Sequence, residues 1–309
     1  MARTALFANK RPGGAVVVAD ARDLPNAAIY VDSVNGSATN DGFTPDTAVT
    51  TLTLGVAAAT AAKRDTIFLM PGHAESKTAS GDIVDVSKSG LRVIGLGSQF
   101  DALIPTFTLG HASATFTVSA ANVLLRGIKI IADAADVAIG VTLGTGADGC
   151  KIEDSWLTSG ALTKELKIAI NVATTCTDVA IRRCLFETVD SDETGSETHA
   201  VKLAGSADRF EMTDCVAIGN YGTAVLDGAT AASVHVRILR NTLITTDTTN
   251  GLAISLHAST TGVVGLNLLG GSKTNTIPLA SAGCWAFENY TTAAVNESGI
   301  IKPAVETFA

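Results

Sequence analysis

A six-residue unit recurs through the middle of this chain, and its spacing restricts the fold more than any other feature. Each copy has an apolar first position, two mostly polar or charged positions, a small or amide-bearing fourth and an apolar sixth. The copies are Leu125–Ile130, Ile152–Leu157, Ile181–Phe186, Met212–Ala217 and Ile238–Leu243, with first positions 27, 29, 31 and 26 residues apart. An apolar strand at Val264–Leu268 extends the series, and Leu91-Arg92-Val93-Ile94 precedes it. A second strand follows each unit in step: Ile139–Leu143, Ile168–Val172, His199–Leu203, Thr223–Leu226 and Leu252–Leu256. Two strand sets drifting at one period of about 20 to 30 residues, with no helix between them, specify coils that stack and share a continuous core. The expected fold is all-β: a right-handed parallel β-helix of seven to eight coils.

Stacking decides how the charges read, because equivalent positions in successive coils lie ~4.8 Å apart. The third position gives a structural ladder of alternating sign, Asp154, Arg183, Asp214 and Arg240. The second gives Arg126, Glu153 and Arg182. Opposite charges facing each other across neighbouring strands contribute roughly 0.2 to 1 kcal/mol per pair. The fourth position gives Ile128, Ser155, Cys184, Cys215 and Asn241, side chains suited to an inward turn.

Only 17% of the 309 residues are charged and 29 are glycine, which suits β-structure with many turns. A net charge of −8 argues against a surface built to neutralise phosphates, so no nucleic acid partner is expected. No apolar run reaches the ~18 to 20 residues that span a bilayer, and the first ten residues lack the apolar core of a secretory signal. The expectation is synthesis in the cytoplasm, with no membrane partner and with export only by assembly or lysis. Cys150, Cys176, Cys184, Cys215 and Cys284 contain no Cys-x-x-Cys spacing and read as reduced, buried small hydrophobes. Without a secretory route the sequons at Asn35, Asn289 and Asn296 carry no weight.

Four segments follow: an extended N-terminal arm over 1–28, a capping segment over 29–72 with a short helix at Leu52–Lys63, the β-helix over 73–285, and a C-terminal extension over 286–309. The arm holds a short strand at Ala15–Val18, and its Arg3, Phe7, Lys10 and Arg11 are candidates for anchoring it to a neighbouring subunit.

No catalytic or cofactor-binding residue is assigned. Glu153/Asp154 and Glu211/Asp214 are the natural acid–base pairs for sugar chemistry, but each carboxylate has an arginine one coil away in the ladder. Asp190, Asp192 and Glu197 lie in the most acidic stretch and are weak metal candidates; the calcium-loop spacing fails where the twelfth position is Val201. Gly144-x-Gly146-x-x-Gly149 matches a dinucleotide fingerprint on paper, yet a strand follows it, so it reads as a coil corner. The five histidines stand apart, and His73 after Pro71-Gly72 reads as a turn residue. With aromatics at 5% of the chain, Trp156, Trp285, Tyr221 and Tyr290 form no obvious sugar-stacking platform.

The stretch Ile29-Tyr30-Val31-Asp32-Ser33-Val34-Asn35-Gly36, with Asn40-Asp41-Gly42, Thr44-Pro45-Asp46-Thr47-Ala48 and Asp65–His73, resembles the opening of pectate-lyase-like right-handed β-helix proteins. In that family the segment caps the solenoid, and its Pro-Gly turn opens the first coil. The stretches Cys284–Tyr290 and Ser298–Ala304 resemble the endings of short β-helix proteins encoded among tailed-phage structural genes. The resemblance carries no catalytic residue over, because neither the calcium-binding Asp cluster and catalytic Arg of pectate lyases nor the motifs of polygalacturonases are found. It implies a non-enzymatic virion protein of a tailed bacteriophage, displayed on the capsid as a decoration protein. Its expected partners are the major capsid protein or other virion subunits and further copies of itself, a trimer being the oligomer considered. The alternative is a tail fibre or tailspike that binds or depolymerises host surface polysaccharide.

Overall fold

A computed structural model describes residues 27–97, 102–188, 197–247, 251–271, 279–281, 283–291 and 299–301. The strands fall into three parallel sheets. Sheet A begins with Ala28–Val31 and Thr66–Leu69 and ends at Cys284–Phe287; sheet B runs from Ala74–Lys77 to Asn289–Thr291; sheet C runs from Gly81–Val86 to Leu279–Ala280. From Thr66 onward the chain visits A, B and C in turn, and eight such coils are complete among the described residues. The right-handed parallel β-helix expected from the repeat is the fold. One strand departs from the parallel rule: Gly299–Ile301 pairs antiparallel with Asn289–Thr291.

Sheet B lies inside the six-residue unit. Ile152 and Glu153 belong to a strand of sheet A, Trp156 and Leu157 to one of sheet B, and the corner between them is Asp154-Ser155. A single residue in the left-handed region turns the chain there: Gly127, Asp154, Arg183, Asp214, Arg240, Leu266 and Glu288 have φ between +46° and +69°. Such a conformation costs an L-residue roughly 1 to 2 kcal/mol, so the corner has to be held by what its side chains touch. The corner from C to A uses the same device at Asn122, Gly149, Asp178, Arg209 and His235, three residues before each repeat start. Gly149 is thus the coil corner that its glycine-rich surroundings indicated.

The core is a set of columns. In sheet A, Ile67, Val93, Leu125, Ile152, Ile181, Met212, Ile238 and Val264 face inward in hydrogen-bonded succession and are all buried. In sheet B the inward column reads Phe107, Ile130, Leu157, Phe186, Ala217, Leu243 and Leu269. Each large side chain in these columns contributes about 1.5 to 3 kcal/mol by leaving water. The register is fixed, because a slip of one residue would turn every column outward.

The N-terminal end of the core is closed by the helix Leu52–Ala58, which buries Leu52, Gly55 and Val56. It stops well before the expected Lys63. Lys88 Nζ donates to the carbonyls of Ala57 and Ala59, and Asp65 accepts from the backbone N–H of Thr60, so the chain is turned away there. Ala62 and Arg64 then adopt positive φ on the way into the first coil. Residues 1–26, with the strand at Ala15–Val18 and the anchoring candidates Arg3, Phe7, Lys10 and Arg11, lie outside the described residues.

Candidate functional site

The four carboxylates that could have formed acid–base pairs all project from sheet A and its corner with sheet B. Arg183 grips Asp154 with two hydrogen bonds, 2.6 and 3.1 Å, and Arg126 adds a third contact at 2.8 Å. Arg240 grips Asp214 at 2.7 Å through both nitrogens. Arg182 holds Glu211 at 2.9 and 3.0 Å, and Arg237 lies 3.6 Å from its other side. Glu153 sits between Arg182 at 3.5 Å and Arg183 at 3.3 Å.

The ladder is therefore a network rather than a single column. Arg183–Asp154 and Arg240–Asp214 are hydrogen-bonded rungs, whereas Asp214 meets Arg183 only through its field. In the second-position column Glu153 meets Arg182, but Arg126 reaches across to Asp154 and not to Glu153. A further rung, which the repeat did not bring to notice, spans the opposite corner: Arg209 grips Asp178 at 2.6 Å through both nitrogens.

The chemistry of these groups follows. The Arg183 bonds hold the Asp154 carboxyl below the ordinary carboxylate range, and Arg240 does the same for Asp214. Burial pushes Glu211 upward, but the Arg182 pair and Arg237 outweigh it and leave it lowered. A general acid needs its pKa raised toward neutrality. Asp154, Glu211 and Asp214 are shifted the other way, and their lone pairs are taken by guanidinium groups.

Of the weak metal candidates, Asp190 and Asp192 lie outside the described residues. Glu197 is buried, and its Oε1 accepts a hydrogen bond from Ser159 at 2.9 Å. Among the described residues no group of three or more His, Cys, Asp or Glu is placed to hold a metal ion. The five cysteines are free thiols; Cys284 is partly exposed and the others are buried. Burial pushes Cys150 up to about 11, the opposite of an activated thiolate. On the outer face of sheet B, Trp156 is covered by Lys129, whose Nζ stands 3.7 Å from the ring centroid.

A concave feature lies beside the C-to-A corner, a groove of about 710 Å³ lined by Arg64, Arg92, Asn122, Leu124, Lys151 and Asp178 among others. Asp178 is committed to Arg209. Arg64, Arg92 and Lys151 make no ion pair among the described residues, so the groove presents uncompensated positive charge on an acidic protein. Sequence reading missed this site because its residues come from the cap and several successive coils, and the glycine motif ending at Gly149 marks only one corner of it.

No family model matches the sequence, and no curated protein matches it. Among solved structures, the pectate lyase Pel9A superposes with a TM-score of 0.57 at 11% identity over 88% of this chain and 78% of that one. A rhamnogalacturonan lyase gives 0.38 at 12% identity, over 89% of this chain and 90% of that one. ORF18 of Geobacillus virus E2 gives 0.33 at 11% identity, over 85% of this chain and 62% of that one. The likeness to Pel9A establishes the β-helix fold and nothing beyond it.

Proposed function

We propose that this chain is a non-enzymatic structural protein of a tailed-phage virion, carried on the capsid as a decoration protein that docks on the major capsid protein and assembles with copies of itself. One observation carries the non-enzymatic reading: the candidate acid–base carboxylates of sheet A are each bound by arginine and serve as rungs between coils. The resemblance of Cys284–Tyr290 and Ser298–Ala304 to the endings of short phage β-helix proteins supports the virion reading. The test is co-sedimentation of the purified chain with capsids assembled without it. Saturable binding at a fixed ratio to the major capsid protein supports the proposal, and failure to bind at any concentration overturns it.

The groove beside the C-to-A corner favours a second reading, in which a tail-mounted β-helix binds an acidic surface polysaccharide of the host. Three unpaired cations spread along one edge of a sheet are suited to a polymer with repeated carboxylates. Retention of the chain on immobilised acidic polysaccharide, lost in an Arg92→Glu/Lys151→Glu variant, supports it. Equal retention of the variant removes it.

A further inference from the structure

His73, expected as a turn residue after Pro71-Gly72, is fully buried. Its ring joins three parts of the chain that lie far apart in sequence. Nδ1 accepts the backbone N–H of Ser33 at 3.0 Å, 40 residues upstream. Because Nδ1 accepts, the proton of the neutral ring lies on Nε2, which donates to Glu75 Oε1 at 2.9 Å. Glu75 Oε1 also accepts the backbone N–H of Leu52 at 2.6 Å, at the start of the capping helix. Glu75 stands in the sheet B column that holds Phe107 and Ile130 in the next two coils, so a carboxylate occupies a core position at the capped end. The ring also packs edge-on against Phe107, with centroids 5.8 Å apart.

We propose that His73 is an acid-sensitive latch: its neutral ring fastens the loop at Ser33–Asn35 to the first coil, and its protonation releases that loop. The reason is donor and acceptor counting. A proton on Nδ1 would face the Ser33 N–H, donor against donor, so the loop must move before the cation is accommodated. The charged groups facing the ring favour that outcome. Glu75 stays paired with Nε2, and Asp32 on the loop side is close enough to feel the ring's charge. Asp32 at present accepts from the backbone of Val34 and Asn35 and from the Asn35 side chain. Drawing it to a protonated Nδ1 would loosen Val34 and Asn35. The loop also relies on the adjacent bond from the Ala74 N–H to Ser33 Oγ, which ends with it.

Hydrogen exchange of the full chain near pH 7.5 and near pH 5, corrected for the intrinsic pH dependence of exchange, reads the latch directly. Protection of the peptide over 33–37 is expected to fall about tenfold in acid, roughly the share of one hydrogen bond. In His73→Asn, whose Oδ1 replaces the Nδ1 acceptor and does not titrate, protection is expected to be independent of pH. An unchanged wild-type peptide, or the same acid loss in the variant, overturns the proposal. Should the variant fail to fold, ¹⁵N imidazole shifts of the wild type decide the matter. A neutral ring protonated on Nε2 that titrates together with the Ser33 amide supports the latch; a ring protonated on Nδ1, or a Ser33 amide that ignores the titration, refutes it.

Discussion

Asn267→Ala should be among the most damaging single substitutions in this chain, although it removes no charge and no large apolar group. Asn267 belongs to an interior stack with Asn241 and Asn289, all buried, one in each of three successive coils at the A-to-B corner. Its Nδ2 donates to Ile238 O at 3.0 Å and to Asn289 Oδ1 at 2.9 Å. Its Oδ1 accepts the backbone N–H of Asn241 at 2.9 Å and Asn241 Nδ2 at 3.1 Å. After truncation Asn241 Nδ2 keeps Met212 O and Asn289 Oδ1 keeps the Asn267 N–H, but the buried Asn241 N–H loses its acceptor. An orphaned buried donor costs about 1 to 3 kcal/mol, and each lost bond between groups that keep a partner about 0.5 to 1.5. The sum is about 2 to 6 kcal/mol, a large part of a domain's usual stability. Asp133→Ala is the control: it breaks an ion pair with Lys164, but the two side chains are 53% and 42% exposed, so it should cost no more than about 1 kcal/mol. Guanidinium titration of both variants, with unchanged slope as the check on cooperativity, measures the difference. A cost below about 1 kcal/mol for Asn267→Ala, or equal costs for the two variants, would refute the reasoning.

Three further outcomes are expected. A Cβ at Gly95 would stand 2.0 Å from the carbonyl oxygen of Gly127, so Gly95→Ala should lose more than about 2 kcal/mol in the same titration, whereas Ser119→Ala, which gives up only an exposed hydroxyl bonded to Asp85, should change little. Burial lowers the pKa of His199 in spite of Asp227 nearby; the unfolded state then binds the proton more readily, so its contribution is complete above about pH 6.5 and declines as pH falls below that value. His199→Asn, keeping a donor for the Ala224 carbonyl, should flatten the stability profile between about pH 7 and 5, and an unchanged slope would count against this assignment. Arg182→Met should destabilise more than Arg209→Met in thermal melts, because Arg182 bridges Glu153 and Glu211 in two neighbouring coils while Arg209 serves one exposed partner.

What the sequence disclosed and what it hid have the same physical origin. The inward columns at Leu125, Ile152, Ile181, Met212 and Ile238 were legible because every coil must present an apolar side chain at one register. Sheet B was hidden because a corner takes only one left-handed residue, so Ile152-Glu153 and Trp156-Leu157 look like one continuous strand. The asparagine stack was half legible. Asn241 stands in the fourth position, but the next two units break the polar pattern, with Gly265-Leu266 in one and Phe287 in the other, and so mask Asn267 and Asn289. The rung Asp178–Arg209 could have been found by reading three positions ahead of each repeat start. The groove and the His73 contacts could not, since Ser33, Leu52 and Arg64 reach their partners only through the closure of the cap.

Under the proposed function, a β-helix whose acidic residues are bound into rungs is put to structural use in a particle. Quantitative mass spectrometry of purified phage particles, reporting copies of this chain against the major capsid protein, tests that role. A copy number in fixed proportion to the capsid lattice is expected. Copies sufficient only for a few tail spikes would transfer the argument to the polysaccharide reading, and absence from the particle would contradict it.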